Sequence, residues 1–459
     1  GGQSGQRRKN AARDADGVRP LYLATHGSRV MLGSTARALF AAGLPPRWDE
    51  AALRMSAALQ YPPPGRTLFE GVQSVPAGGL IIVDAAGARV QRAETAAPTE
   101  LPPLDATLGL REALEDAVRV RIPDEVSFAC ALSGGLDSSA VLALATRVTG
   151  RAPPVFTVCF EGDEQPEWEQ AAATARTFGA THHVVTLDDA QLAEGLPAAV
   201  RAGEGSAINA HLVGKWALAR AVSADGHKVL LNGEGADEVN YGYAHLLVDA
   251  GFAPTREQRA LQAGAMLLAR GERAGGSGPW PHFVDAKLAM GARLHELGHF
   301  GDAAVNAQAA LAAVDHAVLA SAGEVQGLAR SLAWWRALAF ERYILATLGD
   351  AVELAHGVEG RPPFLDREVQ RAARRVSPVA AMRGGVEKQA LRDALRGLLP
   401  EAVLARRKQP FFASPMLLRE RRGRLHALCR ATLTGPSAPA FVNGRAVAAR
   451  LDRLRSASL

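Results

Sequence analysis

The chain has 459 residues, 48% of them apolar and 22% charged, which excludes a disordered or collagen-like polymer and allows about two to four domains. Lys and Arg number 52 against 47 Asp and Glu, a net charge of +5, and aromatic residues make up 5%. No dense basic tract is interleaved with aromatics, so the composition argues against a nucleic-acid partner.

The opening stretch GGQSGQRRKNAARD has no apolar core of the kind a secretory signal carries. Residues 13–92 read as β-rich: RPLYLAT, RVMLGS and LIIVDAAGARVQR are short extended runs separated by Gly, Pro and Asp. Residues 93–107 are rich in Pro and Ala and read as a linker between domain 1–92 and domain 108–435, with 436–459 as a C-terminal tail. From about residue 108 the texture changes. Helical patterns (LREALEDAVRVRI, SSAVLALATRV, EWEQAAATARTFG, HLVGKWALARAVSADG) alternate with apolar runs (VSFACAL, VFTVCF, THHVVTL, KVLLN). Strands alternating with helices predict βαβ units and a doubly wound parallel α/β sheet. Beyond about residue 245 the strand signals fade, and Ala-, Leu- and Arg-rich helical patterns predict a helical C-terminal half.

One stretch imitates a membrane span: Val126 to Thr146 holds a single charge, Asp137. Ser133, Gly134 and Gly135 interrupt it, and a lipid-exposed break is not tolerated, so a buried strand and helix joined by a tight loop is expected and no membrane partner. The three cysteines, Cys130, Cys159 and Cys429, lie far apart without CxxC spacing. They exclude a disulfide scaffold and fit a reducing, cytoplasmic setting.

The loop SGGLDSS, residues 133–139, follows an apolar strand and opens an apolar helix. Its glycines permit positive φ and close approach of a phosphate. Successive backbone N–H groups and the helix N-terminus make an anion cradle. Ser138 or Ser139 is expected to cap the helix. An acid here, Asp137, suits a divalent metal bridging to phosphates. SGG alone would read as a plain turn, and no GxxxxGK[ST] Walker pattern occurs. A second loop, Gly233-Glu234-Gly235-Ala236-Asp237-Glu238, directly follows the run KVLLN. Ligands of open α/β sheets bind beyond the carboxyl ends of strands, so Asp137 and Asp237 are expected to share magnesium and pyrophosphate, and Glu234 to handle protons. Standing alone, this loop would read as a solvated acidic turn. Lys388 and Lys408 are candidate cations for a polyphosphate leaving group, although a lone Lys is more often on the surface. His295-Glu296-Leu297-Gly298-His299 matches the zinc-hydrolase pattern HExxH, but Asp302 and Val305 stand where the extended metzincin pattern needs Gly and His. Two exposed histidines on one helix face are the plainer reading.

Taken together, LSGGLDSSAVLALA, VFTVCF, THHVV, KVLLNGEGADEVNYGY, GDAVELAHGVEGRPPFLDREV and RGGVEKQALRDALRGLLPEAVLARRKQPFFASP resemble the asparagine synthetase family, the glutamine-dependent class with an N-type ATP-pyrophosphatase domain of Rossmann-like fold. ARDADGVRPLY and TLFEGVQSVPAGG resemble the later part of that family's glutaminase domain. The resemblance implies that ATP adenylates the side-chain carboxylate of aspartate, releasing pyrophosphate, and that ammonia displaces AMP to give asparagine. It places Leu132, Ser133, Gly134, Gly135, Asp137 and Ser138 at ATP and pyrophosphate, Asp137 and Asp237 at Mg2+, Val158 and Gly233 near the nucleotide, Glu234 as acid/base, and Lys388 and Lys408 at the phosphates. The family's glutaminase nucleophile is an N-terminal Cys. Here the first residue is Gly and the first cysteine is Cys130, inside a predicted core strand, so this chain is expected to use ammonia rather than glutamine directly. EVNYGY departs from the family's ELFGGY at Asn240 and Tyr241, which leaves the acceptor carboxylate open. The same chemistry on another carboxylate, as in lasso-peptide cyclases or β-lactam-forming relatives, is the nearest alternative; the β-lactam branch carries Tyr at the position of Glu234. A noncatalytic subunit is the alternative of another class. A homodimer or a separate glutaminase chain as partner also stays open.

Overall fold

A computed structural model describes residues 9–84, 87–92, 106–161, 167–205, 208–252, 280–407 and 423–453. The N-terminal part builds two antiparallel three-stranded sheets, β1 (Lys9–Ala12), β5 (Gly79–Asp84) and β6 (Gly87–Arg92) in the order β1-β5-β6, and β2 (Tyr22–His26), β3 (Arg29–Gly33) and β4 (Val72–Ser74) in the order β3-β2-β4. The period-2 alternation of strands places Leu23 of β2 in one core with Val75 and Ile81, and its neighbour Ala24 in another with Leu39 and Val72. The β-rich reading therefore holds, with two helices added: α1 (Ala36–Ala41), capped by Thr35, and α2 (Glu50–Leu59), capped by Asp49.

The N-terminal part docks on the rest of the chain through buried charge. Arg13, 6% exposed, donates to the carbonyls of Arg19 at 2.9 Å, Val75 at 2.6 Å, Gly17 at 2.7 Å and, across the junction, Glu341 at 3.2 Å. Asp16 pairs with Arg336 at 2.8 Å, and Arg19 pairs with Asp350 at 2.5 Å. Arg13→Ala strands these carbonyls without a donor. It is expected to destabilise the protein by roughly 3 kcal/mol, read as a lower urea midpoint, because an unsatisfied buried polar group costs more than a formed bond contributes.

The second part is built on a five-stranded sheet with every neighbouring pair parallel, in the order β11-β10-β7-β8-β9. Its strands are β7 (Phe128–Ala131), β8 (Val155–Phe160), β9 (His182–Leu187), β10 (Val229–Leu231) and β11 (Glu359–Arg361). Cys130, Val155, Val229 and Leu231 face a core with helices α3 (Ala106–Arg119) and α4 (Leu136–Thr149). The alternate residues Ala129, Phe156 and Leu230 face Leu218 and Val222 of α7 (His211–Ala224). Both faces are covered, which is the doubly wound arrangement expected for near-continuous apolar strands. The helical C-terminal half follows, with one departure: β11 adds a fifth strand where the sequence promised helices only. It is three residues long, and charged Glu359 and Arg361 flank its single glycine, so it carries no strand pattern.

One helix among the described residues, Ala303–Ala322, is long and apolar enough to cross a membrane; it buries Ala310, Val314 and Val318 against the rest of the protein. Helix Gly444–Arg453 buries Val447 and Leu451 and packs on helix Arg424–Thr434.

Candidate active site

From β7 the chain proceeds outward to β8 and β9, then returns to β10 on the other side of β7. The crevice between β7 and β10 is thus the switch point of the sheet, where loops leave neighbouring strands in opposite directions and open a binding cleft. SGGLDSS leaves β7 here and GEGADE leaves β10. The two loops touch: a Cβ on Gly233 would lie 2.9 Å from Asp137 Cβ. Gly134 has φ +71°, and a Cβ there would lie 2.6 Å from the backbone nitrogen of Ala171, so both conformation and space demand glycine.

Helix α4 begins at Gly135 without a side-chain cap. This corrects the expectation that Ser138 or Ser139 caps it. Ser138 Oγ instead accepts from Ser133 N at 3.1 Å and lies 3.1 Å from Ser133 Oγ, while Ser139 Oγ is buried without a partner. The serines tie the loop to itself and leave the first turn of α4 without a side-chain acceptor, which suits an external anion. Leu132 ends the strand: its N–H donates to Phe156 O at 2.9 Å, and its carbonyl accepts from Thr157 Oγ1 at 2.5 Å.

Lys388 joins the loops. It precedes helix Gln389–Ala394 in a left-handed conformation, φ +56°, and is 2% exposed. Its Nζ lies 2.6 Å from Asp137 Oδ2 and 2.5 Å from Asp237 Oδ1. A buried ammonium between two carboxylates is far from the solvated surface Lys that composition favours. Gly242 makes room for this clamp, since a Cβ there would lie 2.0 Å from both Asp237 Oδ1 and Lys388 Cε. Asp137 Oδ1 is buried and accepts no hydrogen bond. No cluster of three or more His, Cys, Asp or Glu positioned for a metal occurs among the described residues.

Glu234 stands beside this clamp but pairs elsewhere, accepting from Lys215 Nζ of α7 at 2.8 Å. Burial pulls the Lys215 ammonium down, yet the charges of Glu234 and Glu353 outweigh it and the net direction is up. Glu353 is 3% exposed, its Oε1 has no hydrogen-bond partner, and burial pushes its carboxyl up to about 7. Glu238 is likewise pushed up to about 7, by burial and then by Asp237, while Tyr243 Oη donates to it at 2.5 Å and Trp335 Nε1 at 2.9 Å.

Lys215, Glu353 and Gly242 were not singled out in the sequence. A lone Lys within the apolar run LVGKWALA was the available signal for the first. Arg406 was also missed; it donates to Gly134 O at 3.2 Å and brings a second cation to the glycine loop. Lys408 lies outside the described residues. Val158, partly buried on β8, faces Val185 of β9. Asn240 and Tyr241 are turned into packing: Asn240 Nδ2 donates to Ala236 O at 3.2 Å, and Tyr241, at φ +56°, packs on Val376, Ala381 and Ala390. The HExxH match dissolves, because its helix His282–Glu296 ends before His299. His295 spends Nδ1 on Gly291 O at 2.9 Å and Nε2 on Asn306 Nδ2 at 3.1 Å. Cys130 is fully buried in β7, and burial drives its thiol far above the ordinary range, the opposite of an activated nucleophile.

The family model for asparagine synthase matches residues 109–458, more than half of the chain, and that for a glutamine amidotransferase domain matches residues 4–93. The chain belongs to the asparagine synthase family. Membership places it among ATP-dependent amide-forming ligases. It is 25% identical to amidase chry2 of Gibberella zeae, over 87% of this chain and 67% of that protein. It is 26% identical to asparagine synthetase 3 (glutamine-hydrolyzing) of Bacillus subtilis, over 87% of this chain and 64% of that protein. It is 32% identical to the carboxyethyl-arginine beta-lactam-synthase of Streptomyces clavuligerus, over 49% of this chain and 42% of that protein. The chain thus spans about two thirds of the length of the first two relatives and less than half of the third.

Proposed function

We propose that this chain adenylates the side-chain carboxylate of aspartate with ATP, releases pyrophosphate and passes ammonia to the activated carbonyl, giving asparagine. The observation that carries the reading is the Asp137–Lys388–Asp237 clamp at the switch point, facing the uncapped start of α4 with Glu234 alongside.

A carboxylate is a poor electrophile, and a triphosphate repels it. Lys388 and the N–H groups after Gly135 supply positive potential for the β- and γ-phosphates, and so for pyrophosphate as it leaves. Ser133 and Ser138 hold the loop in register. Arg406 adds a cation at the glycine loop, and Lys408 is assigned to the phosphates. Gly233 admits the nucleotide close to the backbone, and Val158 borders the adenine. The donor set fits Mg2+: Asp137 and Asp237 would hold it, and Asp137 has a buried oxygen that accepts nothing. Bound there, Mg2+ supplies charge neutralisation on the phosphates. Glu234 takes the proton that the incoming amine loses as AMP departs.

The test is pyrophosphate release by purified protein with ATP and Mg2+, comparing aspartate plus ammonium with aspartate plus glutamine, and Asp137→Ala as the blank. Release that needs both aspartate and ammonium is the expected result. Folded protein that binds ATP yet releases nothing with aspartate overturns aspartate as acceptor. The second reading, the same activation of a different carboxylate, is favoured by the 32% identity to a β-lactam synthase and would then take its place.

A further inference from the structure

Glu234 is held by a partner outside the sequence motifs, and the charge of a buried carboxylate, Glu353, also acts on that partner. Lys215 rises from α7 to Glu234 at 2.8 Å. Glu353 follows the long π-type helical stretch Arg336–Ala351 and lies against the edge strand of the sheet, because a Cβ on Gly360 would lie 1.9 Å from its Oε2. Gly360 is the register partner of Leu230 in β10, the strand whose end carries Glu234. Glu353 therefore sits beneath the GEGADE loop.

We propose that Lys215 and Glu353 are positioning residues for Glu234: Lys215 pairs with the proton acceptor for the amine at 2.8 Å, and Glu353 completes a row that shares the charge change when Glu234 takes a proton. The inference rests on the ligase reading above. In the step it serves, the amine nitrogen's lone pair forms the C–N bond and the C–O bond to AMP breaks, AMP leaving with that electron pair. The nitrogen loses a proton to the Glu234 carboxylate. With Glu234 neutralised, the Lys215 ammonium would stand uncompensated with only 18% of its side chain exposed. Glu353, whose charge also acts on Lys215, would then supply the opposite charge. A half-buried ammonium that keeps one anion at every stage avoids part of the desolvation penalty that an unpaired charge would incur.

The charges that act on Glu353 are those of Lys215 from α7, Glu234 from the loop after β10, Asp350 on its own helical segment and Arg19 from the N-terminal part. Arg19 also donates to Gly360 O at 3.2 Å.

Two measurements test the row on the full chain. The first is substrate-independent: the thermal midpoint between pH 5 and 8. A carboxyl whose folded value is raised to about 7 costs the folded state stability as pH climbs from its unfolded value toward that point. Glu353→Gln removes that part of the decline, worth roughly 3–6 °C. Lys215→Met removes the compensating cation and steepens the decline, and the double variant is flat again. Parallel curves for wild type and Lys215→Met overturn the coupling. The second compares aspartate-dependent ATP–pyrophosphate exchange with ammonium-dependent asparagine formation. Lys215→Met is expected to lower kcat for asparagine by about 100-fold and to move its pH profile, while exchange falls less than about threefold. Equal loss in both assays with an unmoved profile means a structural role and overturns the inference. Wild type that shows no exchange with aspartate sinks the aspartate reading instead, and the row then stands or falls on the unfolding curves.

Discussion

Lys388→Met is expected to reduce ATP-dependent pyrophosphate release by at least ~10³-fold, the scale seen when a preorganised charge is removed from a transition-state site. The same substitution is expected to cost about 3 kcal/mol of stability at pH 7, because it leaves two carboxylates facing each other with little solvent. Asp137 and Asp237 retain only 15% and 13% side-chain exposure, so water cannot replace the ammonium at low cost. Added Mg2+ offers a second test. If the two carboxylates also hold the metal, millimolar Mg2+ raises the variant's thermal midpoint more than that of wild type, because the metal takes up charge that Lys388 no longer neutralises. Calorimetry at pH 7, with and without Mg2+, reads both effects. A variant as stable as wild type at pH 7 would mean that the clamp is not a closed electrostatic unit.

How much of this was legible in the sequence depended on whether a residue's chemistry is local. SGGLDSS and GEGADE were readable because each follows an apolar strand and packs glycines and acids into a few positions. Their meeting was an inference from strand ends, and the order β10-β7-β8 shows them as neighbours. Lys388 was readable only as a candidate, since nothing in RGGVEKQAL distinguishes a buried Lys from a solvated one. Its burial comes from α4, the loop after β10 and Gly242, all more than a hundred residues away. Lys215 and Glu353 were invisible for the same reason: they are 138 residues apart (353 − 215), and only the sheet brings them under one loop. The zinc-like HELGH misled in the opposite direction. Its spacing is right on paper, but the helix ends at Glu296 and His299 lies beyond it.

The serine capping error has a physical reason as well. A Ser in the first turn of the helix that a phosphate-type loop opens can satisfy the helix amides or reach back to the strand. Ser138 reaches back to Ser133, and the amides stay available. A capped helix would be a more stable piece of local structure and a poorer anion site. The local rule fails where a ligand would take over the cap's role, as expected at functional positions.

Gly242→Ala is expected to have the second largest effect, a loss of activity of about 100-fold or more, although it adds only a methyl group. The backbone does not resist the change, because Gly242 does not adopt a positive φ. Space does: the new Cβ would lie 2.0 Å from Asp237 Oδ1 and from Lys388 Cε, and 2.8 Å from Lys388 Nζ. Asp237 is anchored on the short helix Ala236–Asn240, and Lys388 is held from both sides by carboxylates, so neither yields without breaking the clamp. Overpacking of this kind costs roughly 1–3 kcal/mol in folding. Its larger effect is on the relative placement of the two acids and the ammonium. Gly109→Ala is the matched control. Gly109 lies within α3, and a Cβ there meets nothing within 4 Å. The same added methyl should stabilise that helix by about 1 kcal/mol and leave pyrophosphate release untouched. Opposite signs for the two substitutions, read by thermal midpoint and by pyrophosphate release, would separate crowding of the clamp from a general effect of replacing glycine. Matching effects at both positions would mean that Gly242 is not there to make room.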